Sequence, residues 1–564
     1  MGIMSTAKKA QLQQIDIIKI YERKRCLIVD DLTEVRASYK RMLRSFGAKE
    51  IDTAATGDQA MQMVESRQYG MIICDYNLDE SKDGQQVLEE LRHMQLLKYT
   101  TLFVIITAET SREMVLGAIE NQPDDYITKP ISQKMMRLRL DRALLKHEEL
   151  YQIKSAMDSK SYGRAIRLCD EKIAEGSRYR WDCVRYKAQI SILMGDMDTA
   201  RAIYESALEE KEFIWAKIGL VRTLVHSGQY DNIEAILKGI IRDDHRYIEA
   251  HDILSEYYEK TDQSRKAQDA TQTATQLSPK SILRHRRLAE LAEENQDDET
   301  CLKAYEEAIR WNYNSCHAEP EDYLSLARKT VSVTKGRKDR EAVEKTKKAL
   351  NLLDRMTRRF PERKNKVKSG LIESQLHANQ GKMHFAQNAL TLAEQEYEIL
   401  EPKDVDARLD YAQSQILLGD KRKAYKELHL ISRQFKDDEK VLEKIDKISE
   451  EPITTAGKQC ASDLSRAGIE AYQQKEYDKS LTIFKDALKM FPNHTGVNLN
   501  MVQVALAKTE ADEKTHALYN VCKNCLLRVD DIEKGHKQYD RFQYLLNQYK
   551  TIYQEYIEGK VAKD

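Results

Sequence analysis

Arg25-Cys26-Leu27-Ile28-Val29-Asp30-Asp31 and Met71-Ile72-Ile73-Cys74-Asp75 are two apolar runs that stop on carboxylates. A strand covered by helices on both faces reads this way, because neither side of it is left for polar residues. Three more short strands fit around them. Ile51 to Ala55 is one. Thr101-Leu102-Phe103-Val104-Ile105-Ile106 is another and stops at Thr107. Asp125 to Thr128 is the last and stops at Lys129-Pro130. Helical spacing fills the intervals at Thr33–Phe46 (closed by Gly47), Gly57–Ser66, Gln85–Leu96 and Arg112–Asn121. Five such units predict a doubly wound α/β parallel sheet, flavodoxin-like in layout.

Ligands of such sheets bind beyond the carboxyl ends of the strands. The polar residues at those ends are Asp30, Asp31, Asp75, Thr107 and Lys129. Clustered carboxylates repel one another unless a cation neutralises them. Hard oxygen ligands beside phosphate chemistry suit Mg²⁺. An aspartate carboxylate is a competent nucleophile for phosphoryl transfer, and an amine and a metal would stabilise the transferring charge.

The ordered set Asp30-Asp31, Asp75, Thr107-Ala108 and Lys129-Pro130 resembles the receiver domain of bacterial two-component response regulators, over about residues 23 to 145. The resemblance implies that Asp75 accepts a phosphoryl group from a histidine kinase or phosphotransfer protein. It implies that Asp31, Asp75 and the main-chain carbonyl of Asn77 bind Mg²⁺, with Asp30 assisting through water. Thr107 would hydrogen-bond the phosphoryl oxygens and Lys129 would pair with them. Tyr126 matches the aromatic whose rotamer reports phosphorylation, and Lys129-Pro130 would be cis. Asp79 stands where the family usually has proline, and Gly84 comes one residue late, so the loop after the third strand is expected to be longer and less rigid. Asn77 and Glu109 match the pair of fast-resetting chemotaxis receivers, which implies a short-lived phosphoryl group.

The other 400 or so residues repeat a phrase of small, large and small positions. Ala200-Tyr204-Ala207 is the clearest copy. It is followed by Ile233-Leu237-Ile240, Ala267-Thr271-Ala274 and Cys301-Tyr305-Ala308 at intervals of 33 to 34 residues. Later copies are Ala386-Leu390-Ala393, Ala424-Leu428-Ile431 and Ser480-Phe484-Ala487, and Ala165-Cys169 is a partial first copy. Gly195, Gly228, Gly381 and Gly419 precede copies and mark helix–helix turns. The pattern resembles the tetratricopeptide repeat, an all-α superhelical solenoid whose small residues let antiparallel helices approach. About eight units are expected over 146–510, with irregular spacing at 311–370 and 436–456. The implied organisation is a helical extension at 1–22, a receiver at 23–145, repeats at 146–510 and a helical cap at 511–564. With neither glycine nor proline between Ile131 and Tyr162, one helix from Ser132 to Ser159 is expected, about 40 Å long at 1.5 Å per residue. It would join sheet domain and repeats rigidly.

Composition agrees with a mainly helical, soluble chain: 564 residues with 21 glycines, 8 prolines and 32% charged residues. A net charge of −1 excludes a globally polyanion-seeking surface. No apolar run is long enough for a membrane span, and no secretory pattern is seen, so a cytoplasmic bacterial protein is expected. Met1-Gly2 with Thr6 matches a myristoylation pattern only formally. Nine scattered cysteines fit a reducing compartment. Cys522 and Cys525, with His516 and His536 nearby, read as a chance CxxC rather than zinc ligands. Ala7–Tyr21 reads as an amphipathic helix packed on the receiver or on a second copy.

The leading functional reading is a signalling adaptor and not an enzyme, apart from receiver self-phosphorylation and autodephosphorylation. A protein or peptide target would lie in the repeat groove and respond to phosphorylation. A homodimer is also carried as a partner. The alternative is a nucleic-acid-binding regulator using the 331–368 segment, which holds 14 Lys and Arg against 5 Asp and Glu. Nucleic acid ranks below protein as a partner, and a hidden enzyme in the repeats ranks below both.

Overall fold

The computed structural model describes residues 16–78, 82–108, 112–399, 404–511, 516–530, 532 and 534–561. Glu109, Asp79, Met1-Gly2 and most of the expected 7–21 helix lie outside them. The chain divides into two compact units, Met1–Lys329 and Thr330–Asp564.

The first unit opens with five parallel strands, β1 (Cys26–Val29), β2 (Ile51–Ala54), β3 (Met71–Asp75), β4 (Leu102–Thr107) and β5 (Asp125–Thr128), in the order β2-β1-β3-β4-β5. Successive side chains of a strand point to opposite faces. Cys26 and Ile28 accordingly join one core with Tyr39, Leu43, Phe46, Met136, Leu140 and Leu144. Leu27 and Val29 join the other with Ala60, Met61, Val87, Leu88, Leu91 and Ala118. The first core is closed by α1 (Ile17–Arg23), α2 (Thr33–Phe46) and α6 (Gln133–Glu149). The second is closed by α3 (Gly57–Ser66), α4 (Gly84–His93) and α5 (Arg112–Glu120). The short α1 packs on the sheet domain through Ile20 and Tyr21, and the Tyr21 hydroxyl donates to Asp141 at 2.9 Å.

The expected continuous helix from Ser132 to Ser159 is corrected: α6 ends at Glu149, and α7 (Tyr151–Asp158) restarts after Leu150, whose φ is −99° and ψ 4°. Two contacts reward the break. Leu150 is fully buried in the core of the first helical hairpin. Asp158 accepts hydrogen bonds from the amides of Tyr99 and Thr100 at 2.7 and 3.1 Å and from the Thr100 hydroxyl at 2.6 Å.

Twenty-two helices follow α6 among the described residues, mostly as antiparallel hairpins. Every triplet named above is buried. The reason is close approach. Tyr204 fills the space that a side chain at Gly219 would occupy, and Phe484 does the same at Gly468. Ser255 donates to the Ala267 carbonyl, Ser374 to Ala386 and Ser480 to Gly468, one hydroxyl per hairpin pinning helix to helix. Gly195, Gly228, Gly381 and Gly419 turn the chain with φ between +70° and +92°. Lys160, Asp262, Gln296 and Lys475 hold left-handed φ of 54–60° at further hairpin turns, at the modest cost such residues carry. That is why the glycine signal was incomplete. In the second unit the spacing drifts because Arg340–Arg359 is 20 residues long and Glu439–Ser449 stands between hairpins.

Phe484 is fully buried, whereas Met490 on the same helix is half exposed. Phe484→Ala is expected to destabilise the C-terminal unit by about 3–5 kcal/mol, and Met490→Ala by less than about 0.5 kcal/mol. Urea unfolding followed by circular dichroism measures both; equal midpoints would contradict the packing described.

Candidate functional site

The carboxyl ends of β1 and β3 lie side by side, since Val29 pairs with Cys74. Asp30 and Asp75 therefore emerge together, and one ligand oxygen each of Asp30, Asp31 and Asp75 lies within 4.8 Å of the others. Lys129, just beyond β5, reaches across the sheet edge. Its ammonium donates to Asp75 at 2.8 Å and to Asp30 at 3.2 Å. Its amide is held by the Thr107 carbonyl at 2.6 Å, and the peptide to Pro130 is cis, as expected.

Burial sets the electrostatics. Asp30 is wholly buried, Asp75 is nearly so, and Asp31 is half-buried. Burial raises the Asp75 carboxyl above its ordinary value; the neighbouring Asp30 charge adds to this, and Lys129 opposes it without cancelling it. Burial would lower Lys129, but its hydrogen bond and attraction to Asp75 and its attraction to Asp30 outweigh that and raise it. Three carboxylates against one ammonium leave two negative charges uncompensated. An all-oxygen set with that excess fits a divalent hard cation, so these residues suit Mg²⁺.

Thr107 ends β4 fully buried, one position beyond Ile106, whose carbonyl accepts from the Tyr76 amide at 2.8 Å. Tyr126 is half-buried in β5 against the α4–α5 core. Asn77 is exposed two residues after Asp75. The far end of the β3–α4 loop is held firmly. Asp83 caps α4, accepting from the Gln86 amide at 2.8 Å in a reciprocal capping box. Gly84 donates to the Tyr76 carbonyl at 2.9 Å, and a Cβ there would lie 2.2 Å from the Asp75 carbonyl oxygen. Only glycine fits so near the acidic site.

Residues 26–141 match the model of the response regulator receiver domain. This part of the chain is a receiver domain of a two-component response regulator. It is 29% identical over 116 residues to chemotaxis protein CheY-3 of Vibrio cholerae, covering 21% of this chain and 88% of that protein. Chemotaxis protein CheY of Pseudomonas aeruginosa is 26% identical over 116 residues, 21% of this chain and 92% of its own. Among solved structures, a CheY-like receiver domain protein from Methanospirillum hungatei JF-1 aligns at 25% identity. That alignment covers 22% of this chain and 97% of the other, with a TM-score of 0.21.

The receiver is followed by a large all-helical region in which no catalytic output domain is identified, and no helix among the described residues is long and apolar enough to cross a membrane. Cys522 and Cys525 are buried in the C-terminal core, and burial pushes their thiols up to about 12 and 11. Asp30, Asp31 and Asp75 form the sole metal-competent cluster among the described residues.

Residues that the motif reading missed also shape the site. Arg36 on α2 donates to the carbonyls of Asp30 and Asp31 at 2.6 and 2.8 Å, fixing the β1–α2 turn. Its spacing from those aspartates, five and six residues, was the available signal. Tyr39 lies beside the cluster, and burial pushes its hydroxyl up to about 12.

Because the Asp75 carboxyl is raised in the folded state, its ionised form costs stability. That cost is absent below the ordinary carboxyl value and complete above the raised one. Asp75→Asn is therefore expected to raise the melting temperature at pH 8, with the gain shrinking as pH falls toward about 4; melts across that range check it, and a pH-independent gain would contradict it. Mg²⁺ at ten times its dissociation constant is expected to stabilise the protein by about 1.4 kcal/mol, and Asp31→Asn to weaken that response. Thermal melts with and without Mg²⁺ measure the difference.

Proposed function

We propose that this protein is a phosphorylation-controlled adaptor of a two-component pathway. A histidine kinase or phosphotransfer protein would phosphorylate Asp75, and a tetratricopeptide-type helical region would bind another signalling protein according to that state. The observation that carries the reading is the Lys129 ammonium bridging Asp75 and Asp30 at the sheet edge. An Asp75 oxygen attacks phosphorus while the bond from phosphorus to the donor breaks. Asp31, Asp75 and the Asn77 carbonyl would hold Mg²⁺, with Asp30 assisting through water, and the ion when bound offsets charge on the transferring group. Lys129 passes from the carboxylate to a phosphoryl oxygen, and the Thr107 hydroxyl donates to another. Tyr126, in the strand just before Lys129, would register the change. The match of Asn77 to fast-resetting receivers favours a short-lived phosphoryl group.

The hairpin period, the buried small–large–small triplets and the left-handed turns support the tetratricopeptide assignment, with a receiver over 23–145, repeats over 146–510 and a cap beyond. Such arrays bind peptides or helices in a concave groove. The nucleic-acid alternative loses ground on charge. Within 331–368, Arg337, Arg340, Lys345, Arg358, Arg363, Lys364 and Lys368 are paired with carboxylates, and Lys335 with Glu450.

Incubation with acetyl phosphate and Mg²⁺ is expected to add one phosphoryl group, detected by mass spectrometry, and Asp75→Asn is expected to abolish it. Labelling that survives Asp75→Asn, or that persists for hours without a phosphatase, would contradict the site or its rapid reset. Capture from native lysate with a phosphoryl-mimicking Asp75 state and with Asp75→Ala then tests the adaptor. A protein retained by one form alone supports the switch. Nucleic acid released by added salt would favour the alternative.

A further inference from the structure

We propose that Lys280, which belongs to the helical region, is a positioning residue of the receiver's phosphorylation site. This rests on the receiver reading above. Lys280 lies between the helices Ser264–Leu277 and Ile282–Glu294, some 200 residues beyond Asp75. Its ammonium donates to Asp83 at 2.7 Å and sits 4.7 Å from the centre of the Tyr76 ring. Both members of the ion pair are more than four-fifths shielded from solvent. Tyr76 directly follows Asp75, and Asp83 caps the helix that ends the same loop. Lys280 thus ties together the two ends of the loop that carries Asn77.

The contact is part of a wider docking of the helical region on α4 and α5. Arg284, itself mostly buried, makes a two-pronged ion pair with Glu120 at the end of α5 and another with Asp252 of its own region. The Ser278 hydroxyl donates to the same Glu120 at 3.0 Å. His317 pairs with Glu89 at 3.3 Å and packs edge-on against His93, 5.0 Å between ring centres. Of these, Lys280 alone touches the residue adjoining the phosphoacceptor.

The chemistry explains the choice of a cation. Asp83 is shielded and acidic, and its two oxygens serve different partners, the Gln86 amide and Lys280. Removing the ammonium leaves a shielded carboxylate oxygen without its charge partner, and the loop is expected to relax toward solvent to hydrate it. The Tyr76 ring, released from the cation over its face, no longer clamps the first residue of that loop. The backbone of Asn77, which directly follows Tyr76, is then expected to be held less firmly. Because binding couplings are reciprocal, anything that orders the loop at the acidic cluster also favours the docked helical region.

The test uses the full chain and two readouts. The first is Mg²⁺ affinity, titrated by tryptophan fluorescence or thermal shift with the metal alone. The second is the rate of labelling by acetyl phosphate. Lys280→Met keeps the aliphatic stem and removes the charge; it is expected to weaken Mg²⁺ binding about tenfold, in the range of outer-shell metal-site mutations, and to slow labelling. Lys280→Arg is expected to recover most of both. Arg284→Met breaks the neighbouring docking pair without touching the loop, and it is expected to move both readouts much less. The proposal is overturned if Lys280→Met matches the unaltered protein, or if Arg284→Met has the same effect, since the contact would then only hold two surfaces together. If the unaltered protein takes no label at all, the phosphorylation reading fails, while the Mg²⁺ titration still decides the role of Lys280.

Discussion

One ammonium group makes the acidic edge of the sheet sustainable. Lys129, between Asp75 and Asp30, supplies an ammonium in direct contact with two largely buried carboxylates that parallel strand order forces together. Breaking such a buried pair leaves an uncompensated charge, which costs far more than a surface ion pair contributes. The rest of the receiver is arranged around that balance. Arg36 fixes the turn that carries Asp30 and Asp31, and the Thr107 carbonyl fixes the backbone that carries Lys129. Gly84, lacking a side chain, lets the start of α4 lie against the Asp75 carbonyl. The remaining excess of negative charge is what suits the place to a divalent cation.

The helical region solves a different problem, that of stacking many short helices so that neighbouring pairs share buried clusters. Close approach comes where a small residue on one helix admits a large one from another, as Gly219 admits Tyr204 and Gly468 admits Phe484. At Ser255, Ser374 and Ser480 a buried hydroxyl secures the approach while finding its own hydrogen-bond partner. The left-handed turn residues set the reversal, and glycine is favoured there but not required.

Most of the receiver was legible because its signals are local. Four-residue apolar runs bounded by polar ends mark buried strands, and the residue at each end marks the site. The repeat phrase was legible for the same reason, since the contacts between neighbouring helices recur at a fixed period. The joint between α6 and α7 was not. Helix propensity continues unbroken through Leu150, and the break exists because Leu150 and Asp158 gain tertiary partners that a straight helix would deny them. Tertiary contacts routinely override propensity in this way.

By itself the sequence determined the sheet class, the order of the acidic, hydroxyl and amine groups, and the helical period. Each follows from side-chain spacing along a strand or helix, which the chain carries wherever it goes. Only the tertiary structure decided which distant residues complete the site. Lys280 has no motif, and its reach to Asp83 and Tyr76 depends on how the helical hairpins before it stack and turn back onto α4 and α5. Small rotations between hairpins accumulate along a solenoid, so where its later helices arrive is a property of the packed whole and not of any local stretch.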